Sequence, residues 1–267
     1  MKNYFYLLVL LIISCETNIK QSKENEPYVE VENINSLNDE DLLIKISEEL
    51  KTDSSCMSMS IDIDSQKLEN YLISFGLVDI QSIEPNLRVD LKYSTTDNFV
   101  GIDMYGDLDN AFSQPDVAQK LKKAYDCLQE LDSTLTLLVF DCVRPVFVQQ
   151  KMWDTLTMPI REKTKFLSNP KNRSIHNYGA AVDITISTKN GEELDMGTPF
   201  DFIGKLAHPR EERKMLKEGK LTKKQIKNRV LLRKVMKKAG FFNIQTEWWH
   251  WNSCSRNTAK RKYKLVE

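Results

Sequence analysis

The sequence predicts an α+β domain on three observations. A helix-spaced apolar pattern at Val117, Leu121, Ala124, Tyr125 and Leu128 runs from about Pro115 to Leu131 and passes at once into a β-rich run over residues 134–140. A second amphipathic stretch begins after Thr222, stops at Gly240 and gives way to strand-like residues 241–244. Strands and helices do not alternate in long βαβ units, and with only 9 Gly in 267 residues no dinucleotide-type glycine motif occurs, so a doubly wound sheet is disfavoured. The length suits one large domain or one domain with an extension. Lys+Arg and Asp+Glu both total 38, so net charge gives no mandate for nucleic-acid binding, and none is expected.

Taken in order, the chain opens with Lys2 and an apolar run over residues 5–13 that closes at Ser14 and Cys15. Such a run is too short to cross roughly 30 Å of hydrocarbon as a helix but suits a signal-peptide core. Leu11, Ile12, Ile13, Ser14 and Cys15 resemble a bacterial lipobox, in which the cysteine is acylated and becomes the new N-terminus. Residues 1–15 are therefore expected to be a lipoprotein signal peptide, and the protein to be exported and anchored through Cys15 to a membrane of the periplasm or cell envelope. Each buried acyl methylene would contribute about 0.8 kcal/mol to that anchor. An ordinary signal with an incidental cysteine is the plainer alternative.

Residues 24–70 hold 13 acidic side chains against Lys45, Lys51 and Lys67. Residues 16–71 thus read as a largely disordered acidic tether with one helix near 39–50, and residues 72–267 as the folded domain. Cys56, Cys127, Cys142 and Cys254 could pair in three ways or stay as thiols; spacing does not choose. Residues 204–240 carry 14 Lys/Arg against Glu211, Glu212 and Glu218. Ile226, Val230, Val235 and Met236 supply an apolar stripe, so the lysines read as the wet face of a surface helix. Residues 182–186 form a further strand candidate.

Chemistry concentrates around the histidines, of which there are three: His176, His208 and His250. A catalytic zinc site needs three protein ligands from imidazole, thiolate or carboxylate and one open position for water. His176, Asp183 and His250 would supply that set. Gly179 and Ala180 between the first two allow close backbone approach near a metal. Glu247 lies three residues before His250, so a turn or bulge is required if both face one ion. Its carboxylate could then take a proton from metal-bound water. Arg144, at the end of a buried strand, is the candidate for stabilising charge on a scissile carbonyl. Trp248, Trp249 and Trp251 read as core or pocket wall, and His208 beside Pro209 as a surface loop residue.

The pattern Ser174-x-His176-x-x-Gly179-x-Ala181-x-Asp183, with Glu247-Trp248-Trp249-His250 further on, resembles the zinc D-alanyl-D-alanine dipeptidases related to the vancomycin-resistance enzyme. Residues 87–101, the Arg144-Pro145 turn and residues 196–202 extend the resemblance to about residues 86–251. It implies His176, Asp183 and His250 as ligands of Zn2+, Glu247 as general base and then acid, and Arg144 as the carbonyl-polarising group. It also implies that Tyr93 and Asp201 receive the substrate ammonium and that Ser174 lies near the substrate carboxylate. The implied fold is a small central antiparallel sheet flanked by helices, of the hedgehog and DD-peptidase type. Two departures stand out: residues 152–173, which would cover the site, are short for that family, and the chain carries export signals where a resistance enzyme acts in the cytoplasm. The expected activity is hydrolysis of D-alanyl-D-alanine or a related small D,D-dipeptide in wall turnover. A D,D-carboxypeptidase acting on longer wall peptides and a non-catalytic zinc or wall-binding lipoprotein are the rival readings.

Overall fold

The computed structural model describes residues 65–164 and 167–267. The expected signal peptide with Cys15, the tether up to residue 64, the helix near 39–50 and Cys56 lie outside the described residues. The elements in chain order are α1 (Ser65–Ser74), β1 (Val78–Asp79), α2 (Ile80–Ile83), β2 (Arg88–Val89), β3 (Phe112–Ser113), α3 (Pro115–Leu131), β4 (Leu135–Asp141), α4 (Val146–Thr155) and α5 (Ile160–Lys163). There follow β5 (Ala181–Thr188), α6 (Glu212–Lys217), α7 (Lys223–Lys238), β6 (Phe242–Asn243), β7 (His250–Asn252) and α8 (Arg256–Lys262). No helix among the described residues is long and apolar enough to cross a membrane.

The α+β class expected from sequence is what the chain adopts. A five-stranded sheet has the order β2-β4-β5-β7-β6, and β1 pairs with β3 in a separate ribbon. Every pair in the larger sheet is antiparallel except β2 with β4, which run parallel at the edge. Helix α3 starts with Pro115 in its first turn and buries Val117, Leu121, Ala124, Tyr125 and Leu128, the face its spacing predicts. That face packs on β4, all seven residues of which are buried. Between Val139 and Asp141 the β4–β5 register shifts by one residue, a bulge at Phe140 that sets Asp141 opposite Asp183.

Helix α7 begins as predicted, with Thr222 Oγ1 accepting from Gln225 N at 3.1 Å and Gln225 Oε1 accepting from Thr222 N at 2.8 Å. Its buried face keeps Val235 and Met236 of the expected stripe but turns Val230 outward. Val230 is 49% exposed, whereas Asn228, Arg229, Leu232, Val235 and Met236 are buried. Arg229 takes an inner position because its Nε donates to the Met196 carbonyl at 2.6 Å and its Nη2 to the Leu206 carbonyl at 3.0 Å. It thereby pins both ends of the loop that carries Asp201.

Two further findings adjust the sequence reading. Helix α1 begins at Ser65, before the expected domain start at residue 72, because Leu68 and Leu72 are buried in the core. Cys127, Cys142 and Cys254 are free thiols, so no disulfide occurs among the described residues. Late in the chain, buried Val266 donates its N–H to the Asn177 carbonyl and accepts from Val146 N, each at 2.9 Å.

The α7 correction gives a direct test. Leu232→Ala should lower unfolding free energy by about 3 kcal/mol in urea titrations, whereas Val230→Ala should change it by less than about 0.5 kcal/mol.

Candidate metal centre and active site

The register of the sheet builds the site. Asp141 on β4 is the cross-strand partner of Asp183 on β5, which is in turn the partner of His250 on β7. Directly opposed residues project on the same face, so these three form a row across the sheet. His176 joins from the 3-10 turn His176–Tyr178 that leads into β5. Gly179 ends that turn at φ 61°, and a Cβ there would lie 2.8 Å from Leu77 Cδ2 and 3.3 Å from Gln114 N. The close approach that demands glycine is thus to Leu77 and Gln114, not to the metal side as the sequence suggested.

His176 Nε2 lies 3.1 Å from His250 Nδ1, His250 Nδ1 lies 3.0 Å from Asp183 Oδ1, and His176 Nε2 lies 3.5 Å from the same oxygen. Bonds of about 2.0–2.1 Å in a tetrahedral site set neighbouring ligand atoms about 3.3 Å apart, so this triangle is the face of such a site. Tautomers agree with the geometry. His176 Nδ1 must carry the proton that it donates to the Cys142 carbonyl at 2.5 Å, and His250 Nε2 donates to Asn252 Oδ1 at 3.0 Å. Each imidazole is left with a lone pair aimed at the Asp183 oxygen. Three converging lone pairs repel one another unless a cation sits between them, so these residues fit a divalent metal. Electrostatics show the same demand for positive charge at this point, met by protons on the rings when no cation is bound. Burial pushes the Asp183 carboxyl up, but His176 and His250 outweigh it and hold it far below the ordinary range. Burial lowers His250, yet Asp183 and Glu247 raise it above its usual value.

Glu247 and Arg144 flank this triangle. The chain bends before β7, and Glu247 Oε2 comes within 4.0 Å of His250 Nδ1, which meets the need for a turn between them. Burial raises the Glu247 carboxyl, with His250 opposing. Arg144 is buried; its Nε and Nη2 donate to Asp141 Oδ2 at 3.0 and 2.5 Å, and its Nη2 lies 3.5 Å from Asp183 Oδ2. Its guanidinium stacks over the Tyr93 ring at 4.8 Å. The opposite oxygen of Asp141 accepts from Tyr105 Oη at 2.8 Å. The Arg144 backbone is tied as well, donating to the His176 carbonyl at 3.1 Å and accepting from Asn177 Nδ2 at 2.7 Å.

Tyr93 and Asp201, 108 residues apart, also meet, with the phenol donating to Asp201 oxygens at 3.1 and 3.3 Å. Asp201 holds a left-handed φ of 57°, uncommon outside glycine. Burial, together with Asp183, pushes its carboxyl well above the usual range despite Arg144. Ser174 is buried, and its Oγ accepts from His176 N at 3.3 Å. All these side chains face one cavity of about 580 Å3, walled in part by Phe99, Leu167 and Trp249. Trp248 and Trp251 are core residues.

Sequence reasoning missed three contributors. His208 lines the cavity instead of lying apart on a surface loop, and its Nδ1 is buried without a hydrogen-bond partner. Asp141 holds Arg144; a carboxylate ending an apolar strand three residues before that arginine was the available signal. Asn252, two residues beyond His250, orients its ring and carried no signal of its own.

Comparison with known proteins covers the part of the chain that holds these residues. The family model of Peptidase M15, described as D-ala-D-ala dipeptidase, matches residues 73–266. The D-alanyl-D-alanine dipeptidase of Escherichia coli (strain K12) is 30% identical over 174 residues, covering 65% of this chain and 82% of that protein. The D-alanyl-D-alanine dipeptidase of Enterococcus faecium is 28% identical over 197 residues, covering 67% of this chain and 92% of that protein. That of Enterococcus faecalis (strain ATCC 700802 / V583) is 27% identical over 192 residues, with coverage of 66% and 90%.

The strained, raised Asp201 generates a prediction. Its folded-state pKa lies above the unfolded value, so ionisation at neutral pH opposes folding. Asp201→Asn keeps the acceptor for Tyr93, tolerates the left-handed backbone and removes the charge. Thermal unfolding at pH 7 should show a gain on the order of 1 kcal/mol, and the gain should vanish below about pH 4, where the carboxyl is protonated in both states.

Proposed function

Because the chain belongs to the Peptidase M15 family of D-ala-D-ala dipeptidases, and is thus a metallopeptidase of dipeptides, we propose that it hydrolyses D-alanyl-D-alanine or a related small D,D-dipeptide with zinc as its metal. His176, Asp183 and His250 would hold the ion. One observation carries the reading: two imidazole lone pairs and one carboxylate oxygen meet within 3.5 Å of one another, beside Glu247 and Arg144. Bound there, zinc would polarise the scissile carbonyl and acidify a water.

The residues of the chain divide the remaining work. Glu247 accepts the proton of the attacking water and passes it to the departing amine. Arg144, held rigid by Asp141 and Tyr93, presents a fixed positive charge to the oxygen on which negative charge develops. Asp201, with Tyr93, receives the substrate ammonium, and the arriving cation relieves the cost of its buried charge. Ser174 lies on the side where the substrate carboxylate is received. The cavity volume of about 580 Å3 supports a second reading, since sites of that size hold drug-sized ligands: D,D-carboxypeptidase action on longer wall peptides.

We assign the work to the cell envelope, as an exported lipoprotein acylated at Cys15 that trims dipeptides released in wall turnover. Lys2, the apolar run and the lipobox-like residues before Cys15 support that assignment.

Purified protein incubated with D-Ala-D-Ala, L-Ala-L-Ala and a wall pentapeptide, with and without chelator, should cleave the first alone and only without chelator, as read by product mass. Cleavage of the pentapeptide alone would transfer the reading to the carboxypeptidase. Glu247→Ala should lose about 10²–10⁴-fold in kcat while retaining metal by elemental analysis, and His176→Ala should lose both. Because burial raises the Glu247 carboxyl, the acid limb of kcat/KM should fall at a pH above the ordinary glutamate value. Full activity at pH 4 would discard the base role.

A further inference from the structure

The cavity wall contains two guanidiniums that the chemistry above leaves unused, those of Arg210 and Arg256. Arg256 opens α8, whose N-terminus is capped by Ser255 Oγ accepting from Thr258 N at 3.1 Å. Its side chain lines the cavity, and its hydrogen bond is a long one from Nη1 to the Asn172 carbonyl, 3.4 Å. Among the described residues no carboxylate pairs with it. Of the other cations of the wall, Arg144 is bound to Asp141, Arg210 lies 3.8 Å from Oε1 of the adjacent Glu211, and Lys205 follows Asp201 by four residues on the same loop.

Two groups of contacts of opposite charge lie on this wall. Arg144 stacks on the Tyr93 ring, whose hydroxyl donates to Asp201, the acidic group. Ser174, whose Oγ accepts from His176 N, is two residues from Asn172, whose carbonyl accepts from the exposed Arg256, the positive group. A dipeptide zwitterion carries opposite charges on either side of its scissile bond, so its ammonium at Asp201 directs its carboxylate toward Ser174 and Arg256. We infer that Arg256 binds the free α-carboxylate of the C-terminal residue, with Ser174 beside it, and so makes the enzyme select peptides ending one residue beyond the cut. One nitrogen of the fork is steadied by Asn172, and the remaining N–H groups match a carboxylate. This inference rests on the dipeptidase reading.

The test is a substrate-and-variant cycle on the full-length protein. Wild type, Arg256→Ala, Arg256→Gln and Lys205→Ala are assayed on D-Ala-D-Ala and on its C-terminal amide, with metal content and melting temperature measured in parallel. Where turnover of the amide is too slow, its Ki as a competitor replaces kcat/KM. Arg256→Ala and Arg256→Gln should lose roughly 10–100-fold in kcat/KM on the acid, mainly through KM, as expected for a lost hydrogen bond to a charged group. The amide should change little, and metal content and melting temperature should hold. Equal losses on acid and amide, no loss on either, or a carboxylate-specific loss in Lys205→Ala instead would overturn the assignment. A wild type that cleaves neither compound would fail the dipeptidase reading itself.

Discussion

Three lone pairs aimed at one point cannot coexist in a buried space without a positive charge among them, and this constraint organises the molecule. Each ligand is held in place from behind: the Cys142 carbonyl fixes the His176 tautomer, Asn252 fixes that of His250, and Asp183 is centred between its partners across the sheet. The bulge at Phe140 belongs to the same arrangement. Without the extra residue, Phe140 and not Asp141 would oppose Asp183, and the arginine three positions later would lose the carboxylate that aims it.

The donors were legible because they are rare and carry local patterns. With so few histidines, two flanked by glycine, tryptophan and acid at family spacing could be singled out, and the long elements followed from periodicity. What escaped depends on tertiary placement. Arg229 lies on the inner face of α7 because two loop carbonyls need donors there, a demand made by residues 33 and 23 positions earlier in the chain. Val230, apolar and helix-spaced, is left in water. His208 reads as a loop histidine because its only distinction is the cavity it faces. The sheet's parallel edge is equally silent, since Arg88 and Val89 make a strand too short to show a period.

Charge is distributed with a sense of direction. Acidic groups are concentrated where desolvation is strongest, and burial raises Asp141, Asp201 and Glu247 together. Arg144 stands among them as a permanent countercharge, itself stabilised in its ionised form by Asp141 and the two tyrosines against the effect of burial. Such a site is tuned to accept cations and cationic ends of ligands. Membership of a peptidase family at about 30% identity to a curated relative is compatible with this economy, because the chemistry needs a handful of side chains and the fold needs only the register that presents them.

Val266 fastens the turn bearing His176 to the start of α4, through Asn177 on one side and Val146 on the other. His250 is made after β4, β5 and α3, on the strand that pairs with β5. During synthesis the pair β4–β5 and the long helix therefore precede β7, and the same segment that extends the sheet supplies the last ligand. A nascent chain lacking β7 holds the aspartate and one imidazole but cannot yet close the triangle.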